Sequence, residues 1–449
     1  MFASICFRSF RFAGLEVDLL FFCGLLEGIL KMIEGQAVRP NHGNGFQCVG
    51  GECEDTCCHG WGVVVDRGVY ERYQGFADGD LRSIATQYVT INPAGGSDSM
   101  YARIELTPAH DCPFLAADKL CGVQKKHGPE LLSATCSVFP RVLNKVEDEL
   151  EVSLYLSCPE AARKVLLNPD LLRGELEALP VGYRTDQFSR LAVGDGQAIY
   201  KPYRYFHQIR GFIMGLLQER SYPLWQRVAL LGSFCERLEE ITVPEQDGMV
   251  MGLLADYEDV AAEGRLRGVM ESWPVQPSVQ VNMVLRLVDQ RVRAGGTGER
   301  FLECFREFLE GIGYAQDSTL ESDVRNYVEA EERYFGPFFE VHPHILENYL
   351  VNYVFRTLFP FGREASAHST PQTIFDEFVS LAGQLVMVRG LLIGMAGRYK
   401  ESFGEGNVVK LVQSFSKAVE HSPTLLKEIS ACMRERKLAS VAGIAILLR

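Results

Sequence analysis

Several familiar signatures are missing from this 449-residue chain, and each absence removes a class of function. There is no G-x4-G-K-[ST] loop, and the glycines at 192–197 and 294–298 do not follow a convincing strand. Neither a phosphate loop nor a GxGxxG-type dinucleotide site is therefore expected, so any adenosine-bearing ligand must be held in another way. Basic residues do not predominate: 45 Lys and Arg stand against 58 Asp and Glu, a net charge of −13. With no surplus to displace phosphate counterions, nucleic acid is not an expected partner. No C-x2-C pair occurs, although that spacing is usual in zinc modules. The C-x3-C-x2-C order of radical S-adenosylmethionine enzymes is also incomplete. Cys53 and Cys57 fit it, but Gly60 stands near the place of the third thiolate. No fixed-period repeat suggests a solenoid.

A long unbroken apolar run is lacking too. Residues 12–30 come nearest, but Glu16, Asp18 and Glu27 interrupt them, and each is costly at bilayer depth. Stable membrane insertion is not expected. Arg8 and Arg11 precede this stretch without a clean small-residue cleavage site after it. Residues 1–40 therefore read as an extension outside the fold, with the natural start at Met32.

What is present is sulfur. Eight of the thirteen cysteines fall between Cys48 and Cys158, and four are crowded into CVGGECEDTCCHGW as Cys48, Cys53, Cys57 and Cys58. Cys112 and Cys121 follow in DCPFLAADKLCGVQ, Cys136 in LSATCSVFPR and Cys158 in LSCPEAAR. Thiolates so close repel one another when ionised and oxidise when free, and a bound cation or iron–sulfur core removes both problems. Disulfides are the competing account. At 47% hydrophobic the chain does not need staples, and adjacent Cys57 and Cys58 are awkward to pair separately. Eight sulfurs suffice for two four-ligand sites, or for one site with spare thiols. Zinc and iron–sulfur both remain open on spacing, with the missing C-x2-C pairs favouring iron–sulfur. Cys235, Cys304 and Cys432 lie in helical segments and read as buried structural thiols.

The chain is long enough for two or three domains. The expected fold is α+β. Residues 41–165 would form a small cysteine-rich metal-cluster domain with short strands, and residues 166–449 a larger all-α helical domain. Strands are expected at Trp61–Asp66 and within residues 100–106, where Ala102, Ile104 and Leu106 alternate with polar neighbours. A hairpin is expected from 141–146 and 149–156, with Leu150, Val152, Leu154 and Leu156 on one face. Helices are expected in 200–242, 281–312, 320–335, 342–358, 371–399 and 407–448. Phe375, Phe378, Leu381, Leu385, Val388 and Leu392 mark one amphipathic face.

Catalytic candidates are fewer. Glu54 and Asp55, inside the cysteine loop, could orient a cation or simply hydrogen-bond loop amides. Trp61, Tyr70 and Tyr73 could wall a cation site or pack the core. Arg141 could bind a carboxylate. Tyr349 and Tyr353, one turn apart beside Asn348 and Asn352, could line a cleft or cap a core. His59 is a weak ligand candidate beside Cys58, with a solvent-facing loop position the plainer reading.

In that order, CVGGECEDTCCHGW, CPFLAADKLCGVQ, LSATCSVFPR and LSCPEAAR resemble the cysteine signature of the flagellin lysine-N-methylase family, within the zinc- or iron-chelating cysteine-cluster proteins. RGFIMGLLQERSYPLWQRVALLG (210–232) and ILENYLVNYVFRTLFPFG (345–362) are similar to later segments of that family. The resemblance implies a cytoplasmic enzyme transferring methyl from S-adenosylmethionine to flagellin lysines, with a cysteine-bound 4Fe–4S cluster. The rival reading is a non-catalytic chelator, metal chaperone or redox carrier.

Overall fold

The computed structural model describes residues 46–93, 96–147, 149–171, 189–191, 199–295, 297–362 and 372–449. The expected N-terminal extension and the glycines of 192–197 lie outside the described residues. Two apolar cores organise what is described, each built in a different way.

The smaller core spans Val63 to Leu132. Its sheet has three short antiparallel strands, β1 (Val63–Val65), β2 (Val89–Ile91) and β3 (Ala102–Ile104), in the order β1-β3-β2. Val63 and Val89 both pair with Ile104. Val63, Val65, Ala102 and Ile104 face inward while Val64 and Arg103 face water, the period-2 pattern expected of these two strands. Helices Arg67–Gln74 and Gly79–Tyr88 pack on this sheet. Each starts at an aspartate, Asp66 or Asp78, whose carboxylate accepts an amide N–H of the first turn. These two helices are not among the expected elements. The capping aspartates were their local signal, but the helices are too short for a sustained 3.6-residue stripe.

The larger core takes in Phe46, the second sheet and the C-terminal helices. Strands β4 (Arg141–Val146) and β5 (Glu149–Leu154) form the expected hairpin, with Val142 opposite Ser153, and β6 (Ser189–Arg190) runs parallel to β4. The hairpin is expected within residues 41–165, but Val146, Leu154 and Leu156 join the core of the C-terminal helices, so it packs with the helical half. Glu151 and Arg210, 5% and 3% exposed, pair at 2.7 Å, with the guanidinium over the Phe206 and Phe355 rings. Asn144 donates to the Phe355 carbonyl at 2.8 Å, and Asn352 to that of Leu154 at 3.0 Å. Helix Pro159–Leu166 follows the hairpin into the same core. The alternating pattern located the strands, but it could not reveal an arginine waiting 59 residues away.

At the centre runs helix Ile374–Tyr399. It is apolar on all sides rather than amphipathic, because neighbours surround it. It is long and apolar enough to cross a membrane, yet its most apolar stretch is 100% buried within the protein. Thr373 and Asp376 form a reciprocal cap at its start. Helix Glu299–Ile312 crosses it so closely that a Cβ on Gly311 would lie 1.7 Å from the Gly394 carbonyl oxygen. Helix Met249–Glu263 was not expected. Only Val250 and Leu254 are buried on it while Met249 and Met251 are exposed, so its apolar residues trace no single stripe.

Candidate functional site

The eight clustered cysteines enter from six local structures. Cys48 precedes a short turn at Gly50–Glu52, where the Gly50 amide approaches its sulfur at 3.4 Å. Cys53 closes that turn and donates to the Asp55 carbonyl. The Cys57–Cys58 turn is tied to the next segment by the Cys112 amide, which donates to the Cys58 carbonyl at 2.8 Å. Cys121 and Cys158 each stand at a helix start, Gly122–His127 and Pro159–Leu166. Cys136 lies one turn into Ala134–Val138, its amide held by the Ser133 hydroxyl at 3.2 Å. All eleven described cysteines are free thiols, and Cys235, Cys304 and Cys432 are buried among helices.

Each of the eight lies close enough to another to influence its ionisation. Hydrogen bonding to Cys112 pushes Cys58 up to about 12, with Cys121 adding repulsion. The Cys57 thiol is held well above its ordinary value, first by Cys58. Burial pushes Cys136 up to about 12, with Cys121 and Cys57 contributing. Cys158 is also pushed to about 12 by burial, opposed by the Ala161 and Glu160 amides and raised further by Cys53 and Cys57. Burial raises Cys53, with Glu54, Cys57 and Cys48 adding to it. Cys121 is raised by burial against the Gln124 and Val123 amides. The pattern has one physical meaning: these sulfurs resist becoming thiolates unless positive charge arrives among them. Cys57 is the common neighbour, acting on Cys53, Cys58, Cys121, Cys136 and Cys158.

Among the described residues, no three His, Cys, Asp or Glu side chains stand in a preformed arrangement for one metal ion. A tetrahedral zinc site with Zn–S near ~2.3 Å needs sulfurs about 3.8 Å apart. An iron–sulfur core is several atoms wide and spreads its ligands further. An all-thiol donor set whose sulfurs meet backbone amides is chemically suited to such a core.

The helical half grips the cysteine loop directly. Asp55 receives Lys417 and Gln413, each at 2.7 Å, and Gln413 also donates to the Ser157 carbonyl. Glu54 is held by Arg163, with Arg300 at 3.7 Å. Both carboxylates thus meet basic groups of this same chain and act as clamps. Lys417 belongs to a π turn, Ser416–Glu420, which continues helix Glu405–Phe415 with five-residue winding.

The other sequence candidates fall elsewhere. Arg141 is buried, donates to the Phe46 carbonyl at 3.0 Å and covers that ring. Tyr349 and Tyr353 are buried in the larger core, with the Tyr349 hydroxyl 3.3 Å from Glu420. Asn348 and Asn352 beside them donate to backbone carbonyls, so this face is a polar-pinned core rather than a cleft. His59 pairs with Asp111 at 2.8 Å at the surface. Tyr70 and Tyr73 belong to the smaller core, against Tyr101 and Phe114. Trp61 parts from them and joins Phe139, Tyr155 and His421, three residues not singled out in the sequence. Phe139 and Tyr155 each lie three positions from a clustered cysteine, which was the available signal. For His421 there was none.

Comparison with known proteins adds an independent line. The family model described as the FliB lysine N-methylase C-terminal domain matches residues 210–447. A lysine-N-methylase of Salmonella typhimurium is 35% identical over 142 residues, 31% of this chain and 35% of the relative. A lysine-N-methylase of Salmonella choleraesuis matches to the same extent. The flagellar biosynthetic protein FliU of Salmonella muenchen is 35% identical over 142 residues, 31% of this chain and 83% of its own length. The matched stretch thus spans about a third of the curated lysine-N-methylases. No solved structure matches.

Proposed function

Since the chain belongs to the FliB lysine N-methylase family, we propose that it is a cytoplasmic lysine N-methyltransferase, with flagellin as substrate and S-adenosylmethionine as donor. We propose further that the eight clustered cysteines supply the ligands of an iron–sulfur cluster. The observation that carries this reading is the clamp between the two parts. Lys417 and Gln413, inside the family-matched region, close on Asp55 within the cysteine loop. A free-standing chelator has no use for such a connection.

Methyl transfer from a sulfonium to an amine is a simple displacement. It needs a neutral lysine, an approach opposite the leaving sulfur, and little water. The cysteine loop, fixed at Asp55 and Glu54, provides a rigid floor, and the helical half provides the surface for a protein substrate. Held by these cysteines, a cluster would supply Lewis-acidic iron for the amino and carboxylate groups of the methionine portion, in place of the missing dinucleotide-type site. Labelled S-adenosylmethionine and purified flagellin test the activity directly. No transfer by a protein retaining its full iron and sulfide favours the chelator reading. Unchanged S-adenosylmethionine binding after complete cluster removal overturns the chelating role.

A further inference from the structure

Four aromatic rings from four separate stretches close a circuit beside the Cys57–Cys58 turn. Centroids lie 5.7 Å apart for Trp61 and Phe139, 6.5 Å for Phe139 and Tyr155, 4.7 Å for Tyr155 and His421, and 6.4 Å for His421 and Trp61. Large aromatics normally serve cores, but none of these four belongs to either hydrophobic core. Trp61, Phe139 and Tyr155 are half-buried and His421 is exposed, so the circuit reaches solvent.

The rings are held in position. The Trp61 indole N–H donates to the Cys57 carbonyl at 2.6 Å, and the His421 Nε2 lies 2.9 Å from the Ser157 hydroxyl. The Tyr155 amide donates to the Pro140 carbonyl at 2.7 Å, and the Arg356 guanidinium lies against the Tyr155 ring. The thiol loop thus orients one ring directly, while the π turn delivers another.

Ring faces carry negative quadrupole charge and attract cations. The nearby carboxylates are already engaged: Asp55 by Lys417 and Gln413, Glu420 by Arg356 at 2.8 Å and by the Ser416 hydroxyl. A primary ammonium entering here would exchange water for ring faces that accept no conventional hydrogen bond from its three N–H groups. A methyl-bearing cation has fewer N–H groups to satisfy, or none, and a diffuse charge that ring faces accommodate.

We propose that Trp61, Phe139, Tyr155 and His421 form a binding site for a methyl-bearing onium group. Two cations of that chemistry belong to the reaction proposed above: the donor's methylsulfonium and the methylated ε-ammonium of lysine. The choice between them rests on the methylase reading, but the existence of the site does not.

Calorimetric titration of the cluster-loaded protein tests it with two ligand pairs. The first pair is S-adenosylmethionine and the neutral S-adenosylhomocysteine. The second is a flagellin peptide carrying trimethyl-lysine and its unmodified form. Trp61→Leu should weaken the onium member of one pair about tenfold and its partner less than about twofold. Trp61→Phe, which keeps a ring, should recover most of that loss. His421→Ala changes an exposed side chain and should lower onium affinity by a few-fold without affecting folding. The affected pair identifies the source of the cation. Equal loss within both pairs, no change in either, or a wild type that binds neither onium overturns the site. Onium discrimination by a protein that transfers no methyl would retain the site and discard the methylase reading.

Discussion

The cysteine-bearing part and the helical half solve the problem of stability in opposite ways. The first has three-residue strands, five- to ten-residue helices and a modest core from Val63 to Leu132. Its eight thiols occupy turns and short helix starts, where backbone amides fix their segments and Cys112, Cys121 and Cys136 pack at the edge of that core. The second wraps a 26-residue apolar helix in neighbours and seals it with backbone contact at Gly311 and Gly394. A region whose sulfurs repel negative charge and whose core is small gains most from an inorganic centre. A region already packed on all sides gains little. The proposed cluster ligands lie in the part that needs help to hold its shape, and the recognisable family stretch is the part that does not.

The strongest way to break this contrast is to remove the sulfur centre. Cys136→Ser, or treatment with chelator and oxidant to strip the proposed cluster, should abolish the proposed methyl transfer. Amide protection should fall sharply over residues 57–140 while helix Ile374–Tyr399 stays protected in hydrogen exchange. Equal loss in both regions would make them a single folding unit. The next largest effect concerns the hairpin. Glu151→Ala strands the buried Arg210 guanidinium and should cost about 3–5 kcal/mol in denaturant unfolding. The loss should appear in the helical transition, since the hairpin packs there. A change confined to the cysteine region would return the hairpin to that side.

A third test uses pH. Burial pushes the Glu377 carboxyl up to about 7, although Lys201 pulls it down. The folded protein therefore holds this proton more tightly than the unfolded chain. Its contribution is complete below the ordinary value of 4.5 and is lost as pH rises through about 7. Glu377→Gln should flatten the fall in urea midpoint across this interval, a difference of about 3 kcal/mol on the alkaline side. An unchanged pH profile would remove Glu377 as the cause. The smallest stability effect belongs to the clamp. Asp55→Asn, between partly buried groups, should cost about 1 kcal/mol. Methyl transfer should drop by more than that loss explains, because the two regions are no longer held in register. Activity that tracks stability alone would reduce the clamp to ordinary packing.

Local patterns in the sequence were good guides to local structure. The valines of 63–65 and the alternation at 102–104 gave strands because one face is buried and the other wet. Most C-terminal helices were legible from their three- and four-residue spacing. Reading failed where a residue's environment comes from far along the chain. Nothing near Glu151 signals its burial, because Arg210 is invisible from its neighbourhood. Glu54 and Asp55 looked available because Arg163, Gln413 and Lys417 lie 109, 358 and 362 residues away. His421 carried no signal, since its ring partners Trp61 and Tyr155 sit in two distant segments. Spacing reports periodicity. It does not report which partner closes the circuit.

The π turn at Ser416–Glu420 has a consequence of its own. Wider winding accommodates an extra residue in a helix that is otherwise regular. Rewinding these residues as regular α-helix, with none removed, would leave the preceding apolar side chains seated, yet swing everything after them by about 100° around the axis. His421 would then leave Trp61 and Tyr155 without any change in composition. The helix behaves like a vernier scale, in which one division of slip misaligns an instrument whose parts are all intact.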